Sequence, residues 1–137
     1  MSIVLDASAT LASIFPDENT PLIEAIFDRV ADEGALVPSL WRVEVANILA
    51  QGVRRGRVGL ARRNEALANL ASLPIFDDAE TGLHVWGSTL GLADTHRLTL
   101  YDATYLELAL RLSMPLATLD DDLRNAAQRE GVPLLGK

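Results

Sequence analysis

Short apolar runs alternate with longer helical patterns along most of the 137-residue chain, and this alternation constrains its fold most strongly. The runs at 2–6, 34–39 and 115–119 combine Val, Ile, Leu and Ala, as buried strands do. Helical spacing of apolar residues separates them, most clearly over 20–33. Because short apolar strands joined by helices form parallel sheets covered on both faces, the pattern predicts an α/β fold with a mostly parallel central sheet.

Helical spacing also predicts a helix over 39–56, with Ser39 as its N-cap. We expect its core-facing stripe to comprise Leu40, Val43, Ala46, Asn47 and Ala50. A later helix, from about Asp102, is expected to turn Tyr105, Leu106, Ala109 and Leu112 inward. Further helices are predicted over part of 7–20, over 59–72, over 79–97 (weakened by three glycines) and after 120, with brief strands at 73–76 and 132–135. No linker or repeat interrupts the pattern, so residues 1–137 are predicted to form one domain.

Composition excludes several kinds of chemistry. The chain has no cysteine, which rules out disulfides, zinc–thiolate sites and cysteine nucleophiles. Its only lysine is Lys137, so neither a Schiff-base lysine nor a P-loop lysine is available. The N-terminus has no basic segment and carries Asp6 within its apolar run, and no uncharged run approaches the ~20 residues that span a bilayer. We therefore expect a cytoplasmic location without a membrane partner.

A net charge of −7 is unusual for a nucleic-acid-binding protein, but the basic residues are unevenly placed. Five arginines lie within residues 54–63. This cluster is either a solvated helix end or a surface for RNA phosphates. On the second interpretation, we expect Arg54, Arg55 and Arg57 to contact RNA.

Four acids emerge from apolar surroundings in separate segments. Asp6 ends one predicted strand and Asp120 closely follows another, so both should lie at the same carboxyl edge of the sheet, where ligands of α/β proteins bind. Glu44 sits in an apolar helix with Asn47 three residues later, and Asp102 begins an apolar helix.

Each acid also has a purely structural interpretation. The three aspartates could cap helices or interact with a helix dipole, and Glu44 could pair with Arg42. If the four converge, a cation must offset their repulsion, and a hard ion such as Mg²⁺ or Mn²⁺ suits carboxylate ligands. Metal-assisted phosphodiester hydrolysis is the chemistry that such a site supports.

Four segments, taken in order, resemble the motifs of PIN-domain proteins, and most of all the VapC-type toxins of toxin–antitoxin pairs. The segments are IVLDASA, PSLWRVEVANIL, LYDATYLELAL and PLATLDDDLRNAA, and they extend over essentially the whole chain. The resemblance implies a three-layer α/β/α fold and Mg²⁺- or Mn²⁺-dependent endoribonuclease activity. It also implies a cognate antitoxin that inhibits the enzyme, and a homodimer.

The resemblance also implies roles for particular residues. Asp6, Asp102 and Asp120 correspond to metal ligands and, together with Glu44, form the catalytic quartet. The hydroxyls of Ser8 and Thr118 and the amide of Asn47 correspond to positions that support the site around the acids. The run of three aspartates leaves open whether Asp121 or Asp122 shares the position of Asp120. The alternative to a nuclease is a catalytically weak PIN-like module that binds RNA or protein, but the intact quartet favours the nuclease.

Overall fold

The structure, a computed structural model, describes residues 1–137 and contains one five-stranded sheet. Its strand order is β3-β2-β1-β4-β5 and every pairing is parallel. The predicted α/β class is confirmed, and the sheet is wholly parallel. The strands are β1 (Ile3–Leu5), β2 (Ala35–Val37), β3 (Ile75–Asp77), β4 (Leu116–Ala117) and β5 (Leu134–Leu135).

Helices connect the strands, as the sequence predicts. The glycine-containing segment is kinked within Val85–Thr89, where Gly87 departs from helical geometry with φ −115° and ψ −108°. The helices are α1 (Ala7–Ala12), α2 (Pro21–Glu33), α3 (Trp41–Arg54), α4 (Leu60–Ser72), α5 (Thr81–His84), α6 (Leu90–His96), α7 (Leu100–Leu112) and α8 (Asp121–Arg129).

The direction of the chain reverses at the centre of the sheet. From β1 it proceeds outward through β2 and β3, and it then returns to β4 on the opposite side of β1. Because parallel crossovers are right-handed, this reversal places helices on both faces, which gives the three-layer α/β/α arrangement. The reversal also opens a crevice beyond the carboxyl ends of β1 and β4, the usual ligand position in such sheets.

The core-facing stripe predicted for α3 was wrong. Val43 is 72% exposed, and Trp41, Val45 and Leu49 face the core instead. Helix α3 carries apolar residues on two faces, and the face with the large indole buries more apolar surface. The Trp41 Nε1–H also donates a 3.1 Å hydrogen bond to Thr10 Oγ1.

Two smaller predictions also fail. The N-cap of α3 is Leu40, and no side chain caps the helix. The backbone N–H of Ser39 instead donates to Thr81 Oγ1 at 3.2 Å. In α7, Leu112 is 37% exposed because it is the last residue of the helix, whereas the other residues predicted to point inward are buried or nearly so, including Tyr105.

A buried ion-pair network fixes the C-terminal half of α7. The Arg111 guanidinium donates to both carboxylate oxygens of Asp78 and also to Glu107. Burial raises the pKa of Asp78, but hydrogen bonds from Arg111, the Glu80 N–H and Thr81 outweigh it and hold the pKa below its usual value. Arg111 therefore ties α7 to the segment that follows β3.

We expect Arg111→Met to lower the free energy of unfolding by about 3–5 kcal/mol, because two buried carboxylates lose their cation. Urea denaturation at pH 7 measures this. The matched control is Arg62→Met, which breaks an exposed pair with Glu65 and should cost less than about 1 kcal/mol. Equal losses in the two variants would contradict a stabilising role for the buried network.

Candidate active site

The carboxylate of Asp6 lies at the crevice between β1 and β4, and its side chain is held from both sides. Asp6 directly follows β1, caps α1 by accepting the Ala9 N–H at 2.8 Å, and is only 4% exposed. Ser8 Oγ donates to its Oδ1 at 2.7 Å, and Thr118 Oγ1, beyond β4, donates to its Oδ2. The two supporting hydroxyls predicted from sequence therefore both bind this carboxylate.

Thr118 also brings Asp120 to the same crevice. Its Oγ1 accepts the Asp120 N–H at 3.1 Å, so one hydroxyl connects both acids. Asp120 in turn caps α8 through the Leu123 N–H at 2.9 Å. Both strand-end aspartates are thus helix caps, as the structural interpretation proposed, and yet one hydroxyl contacts the side chain of the first and the backbone of the second.

Asp102 is half-buried in the first turn of α7, which is capped by Thr99. Its pKa is raised to about 6, mainly by burial and also by the charges of Asp120, Glu44 and Asp122. The acids of the predicted quartet therefore share one electrostatic environment without a balancing cation.

The pKa of Asp6 is raised as well. This pKa is raised to about 6, mainly by burial and to a smaller extent by the charge of Asp102. Hydrogen bonds from Ala9, Thr118 and Ser8 oppose the rise without cancelling it. Ionised Asp6 is thus disfavoured in the folded chain, which is the condition that a bound cation relieves.

Glu44 is oriented by a residue whose role the sequence did not reveal. The Tyr105 hydroxyl donates to Glu44 Oε1 at 2.6 Å. Burial raises the pKa of Glu44, and the bond from Tyr105 counteracts part of that rise. Burial and the adjacent Glu44 also raise the pKa of Tyr105, which keeps its hydroxyl protonated as a donor. The sequence predicted Tyr105 only as an inward-facing residue.

The aspartates at 121 and 122 differ in their partners. Asp121 is exposed and accepts from Lys137 Nζ at 2.7 Å. Asp122 is also exposed, but its charge acts on Asp102. Of the two, Asp122 is the one whose charge acts on the acidic cluster formed by Asp6, Glu44, Asp102 and Asp120.

Arg124, which the sequence did not single out, braces the carboxyl ends of the last two strands. Its guanidinium donates to the backbone oxygens of Thr118 at 2.7 Å and Leu135 at 3.1 Å, and also to that of Lys137. This holds the Thr118 backbone in place beneath the two aspartates that its hydroxyl contacts. The only sequence signal is the position of Arg124, one helical turn after Asp120.

The arginines predicted to contact RNA lie away from the acids. Arg54 and Arg55 are exposed at the end of α3, ten residues or about 15 Å along the helix from Glu44. Arg57 pairs with Asp17 and Glu18, and its guanidinium lies 3.9 Å from the centre of the Phe15 ring. RNA contact at these three residues stays a prediction.

The donor set of the acidic cluster suits a hard divalent cation, since every candidate ligand atom is a carboxylate oxygen. No group of three Asp, Glu or His side chains is positioned to hold an ion by itself. Mg²⁺ ordinarily takes one or two carboxylates and completes its shell with water and substrate phosphate. The residues present fit that kind of site.

Comparison with known proteins places the chain in a family. The family model described as the PIN domain matches residues 3–129, so the chain belongs to the PIN-domain family. Its relatives include Ribonuclease VapC3 of Pyrobaculum aerophilum, 35% identical over 127 residues, or 90% of this chain and 92% of that one. Ribonuclease VapC9 of Mycobacterium tuberculosis is 31% identical over 130 residues, or 93% of each chain.

Solved structures share the architecture. The crystal structure of PAE2754 from Pyrobaculum aerophilum superposes with a TM-score of 0.70 at 24% identity, over 98% of this chain and 89% of that one. That of FitAcB from Neisseria gonorrhoeae gives 0.58 at 20% identity, over 96% and 95%. At these identities the similarity establishes the fold. No helix of the chain combines the length and apolarity needed to cross a membrane.

We expect Asp6→Asn to stabilise the protein in the presence of a chelator. A pKa raised from 3.8 to about 6 means that the fold disfavours the charged form by about 3 kcal/mol, and Asn removes the charge while retaining a helix cap. At pH 7.5 the free energy of unfolding should rise by about 1–3 kcal/mol.

The sign of the pH dependence follows from the raised pKa. Between pH 4 and 6 the folded chain binds more protons than the unfolded one, so wild-type stability falls as pH rises through this window. The advantage of Asp6→Asn should therefore vanish near pH 4, as urea denaturation across pH would show. A difference independent of pH would mean that charge burial is not its cause.

Proposed function

We propose that this protein is a metal-dependent endoribonuclease that acts as the toxin of a toxin–antitoxin pair. The observation that carries the proposal is the convergence of Asp6, Glu44, Asp102 and Asp120, from four separate segments, at the crevice between β1 and β4. Relatives at 31–35% identity that are named ribonucleases support RNA as the substrate.

In this proposal Asp6, Asp102 and Asp120 would hold Mg²⁺ or Mn²⁺ with the help of bound water, since the three carboxylates do not enclose an ion by themselves. The chemistry that such an ion would supply is activation of a water molecule and electrostatic stabilisation of the departing oxygen. Ser8 and Thr118 fix the orientation of the Asp6 carboxylate through the hydrogen bonds described above.

Glu44 is proposed as the residue that accepts a proton from the attacking water. Its Oε1 is occupied by the Tyr105 hydroxyl, which leaves Oε2 to take the proton. The raised pKa of Glu44 suits this role, because a base is most effective when its pKa approaches the working pH. Asn47, one turn further along α3, is exposed on the same side of the helix and is proposed to support substrate binding.

The proposed partners follow from the resemblance to VapC-type toxins. They are a cognate antitoxin that inhibits the enzyme, and a second copy of the chain in a homodimer. Arg54, Arg55 and Arg57 are proposed to contact RNA phosphates outside the crevice, and the proposed location is the cytoplasm. The whole of residues 1–137 is proposed to act as one domain.

The decisive experiment is cleavage of a structured RNA pool with Mg²⁺, with Mn²⁺ and with EDTA. We expect products only with metal, and a loss of at least about 100-fold in Asp120→Asn, since a carboxylate bound to the ion is removed. The matched control is Asp121→Asn, which removes the neighbouring charge at an exposed pair with Lys137 and should retain activity.

Two outcomes would contradict the proposal. Cleavage that persists in EDTA and in Asp120→Asn would exclude the metal mechanism. RNA binding without any metal-dependent product would instead favour the catalytically weak binding module.

A cellular prediction follows from the same site. Induced expression of the wild-type chain should arrest growth, whereas Asp102→Asn, at equal protein level, should relieve the arrest because the ion loses a ligand. Growth curves with matched immunoblots measure this. Equal toxicity of the two chains would place the harmful activity outside the acidic cluster.

A further inference from the structure

A surface groove adjoins the acidic cluster between the first turns of α3 and α7. It encloses about 460 Å³ and is lined by Leu40, Val43, Glu44, Asn47 and Tyr101. Glu44 belongs both to this groove and to the acidic cluster, so the two sites are continuous. An RNA strand bound at the acids could therefore place a neighbouring nucleotide in the groove.

The groove contains apolar surface that the fold does not use. Val43 is 72% and Tyr101 63% exposed, although α3 already packs on the core through Trp41 and the residues that follow on that face. Tyr101 immediately precedes Asp102, so the groove and a proposed metal ligand share the first turn of α7. Contiguous exposed apolar surface beside a polar centre is typical of a binding site.

The chemistry of the lining selects one part of an RNA substrate. The groove has no cation, and its only charged residue is the acid Glu44, which disfavours a phosphate. An aromatic ring with neighbouring aliphatic side chains suits a flat, neutral ring that can stack. Asn47 adds a carboxamide, which can both donate to and accept from the polar edge of a base.

We infer that Tyr101 and Asn47 form a nucleobase subsite next to the cleaved phosphate. The base of an adjoining nucleotide stacks on the Tyr101 ring, and Asn47 contacts its edge. This inference rests on the proposed endoribonuclease function and deepens it, since it assigns to this groove the selection of where RNA is cut. An apolar segment of a protein partner is the competing occupant, and the experiment distinguishes the two.

The test compares Tyr101→Ala with Tyr101→Phe on an RNA oligonucleotide that contains a mapped cleavage site. Loss of one base stack should lower kcat/KM by about 5- to 100-fold in the alanine variant. The phenylalanine variant keeps the ring and should remain within about twofold of wild type. Asn47→Ala should broaden the set of sequences cut in an RNA pool. Trp86→Ala, which removes an aromatic side chain 94% exposed elsewhere on the surface, should leave kcat/KM unchanged.

A modified substrate makes the test specific for the base. Two oligonucleotides are compared, one that lacks the base on the 5′ side of the cleaved bond and one that lacks the base on the 3′ side. On one of these two substrates, wild type and Tyr101→Ala should have equal kcat/KM. The stacking partner is then absent from both reactions. This pairing of variant and substrate separates base stacking from a general loss of fold or activity.

Equal kcat/KM for Tyr101→Ala and wild type on intact RNA overturns the inference while leaving the proposed function in place. The inference is also overturned if Tyr101→Ala cleaves RNA as wild type does but binds a protein partner more weakly. The groove is then assigned to that partner. If no variant cleaves RNA, the proposed function fails separately. RNA binding by Asp6→Asn, followed by fluorescence anisotropy, then tests the subsite, with Tyr101→Ala in that background expected to bind about 5- to 100-fold more weakly.

Discussion

The hydrogen bonds around the Asp6 carboxylate are the constraint on which the site depends. One buried side chain joins the end of β1, the first turn of α1 and, through Thr118, the end of β4. The same hydroxyl of Thr118 accepts from the backbone of Asp120, so the position of the last acid is tied to that of the first. The reversal of strand order at the centre of the sheet makes this arrangement possible, because the segments that leave β1 and β4 diverge there and open a crevice beyond the paired strand ends.

The acidic cluster opposes the stability of the fold that positions it. Burial and mutual repulsion raise the pKa of Asp6 and Asp102, and two arginines on the helices that carry the acids are bound to other groups. Arg124 is bound to backbone oxygens, and Arg111 to two buried acids at the other end of α7. Cation binding and folding are therefore linked, because any ion that neutralises the acidic cluster also stabilises the folded chain.

Much of this could be predicted from sequence because the signals were local. The apolar strands, the helical periodicity over 21–33 and the acids at strand ends each depend on short spacings, and all appear in the structure. The inward face of α3 could not be assigned correctly, because two apolar stripes on one helix compete and tertiary packing decides between them. That error conceals the groove, since Val43 was expected to face the core and is exposed in the structure. The hydrogen bond between Tyr105 and Glu44 joins residues 61 positions apart, and neither local sequence contains a pattern that predicts it.

The distance along the chain between Asp6 and Thr118 has a consequence for the order of synthesis. Their side chains meet across 112 residues, and β4 begins only at Leu116. A ribosome therefore has to synthesise the chain through Asp120 before the acidic cluster can assemble. Contacts this far apart in sequence form late, because closing the intervening loop costs entropy that earlier contacts do not require. The acidic cluster is thus among the last features of the fold to form, after the local helices and the pairing of β1 with β2.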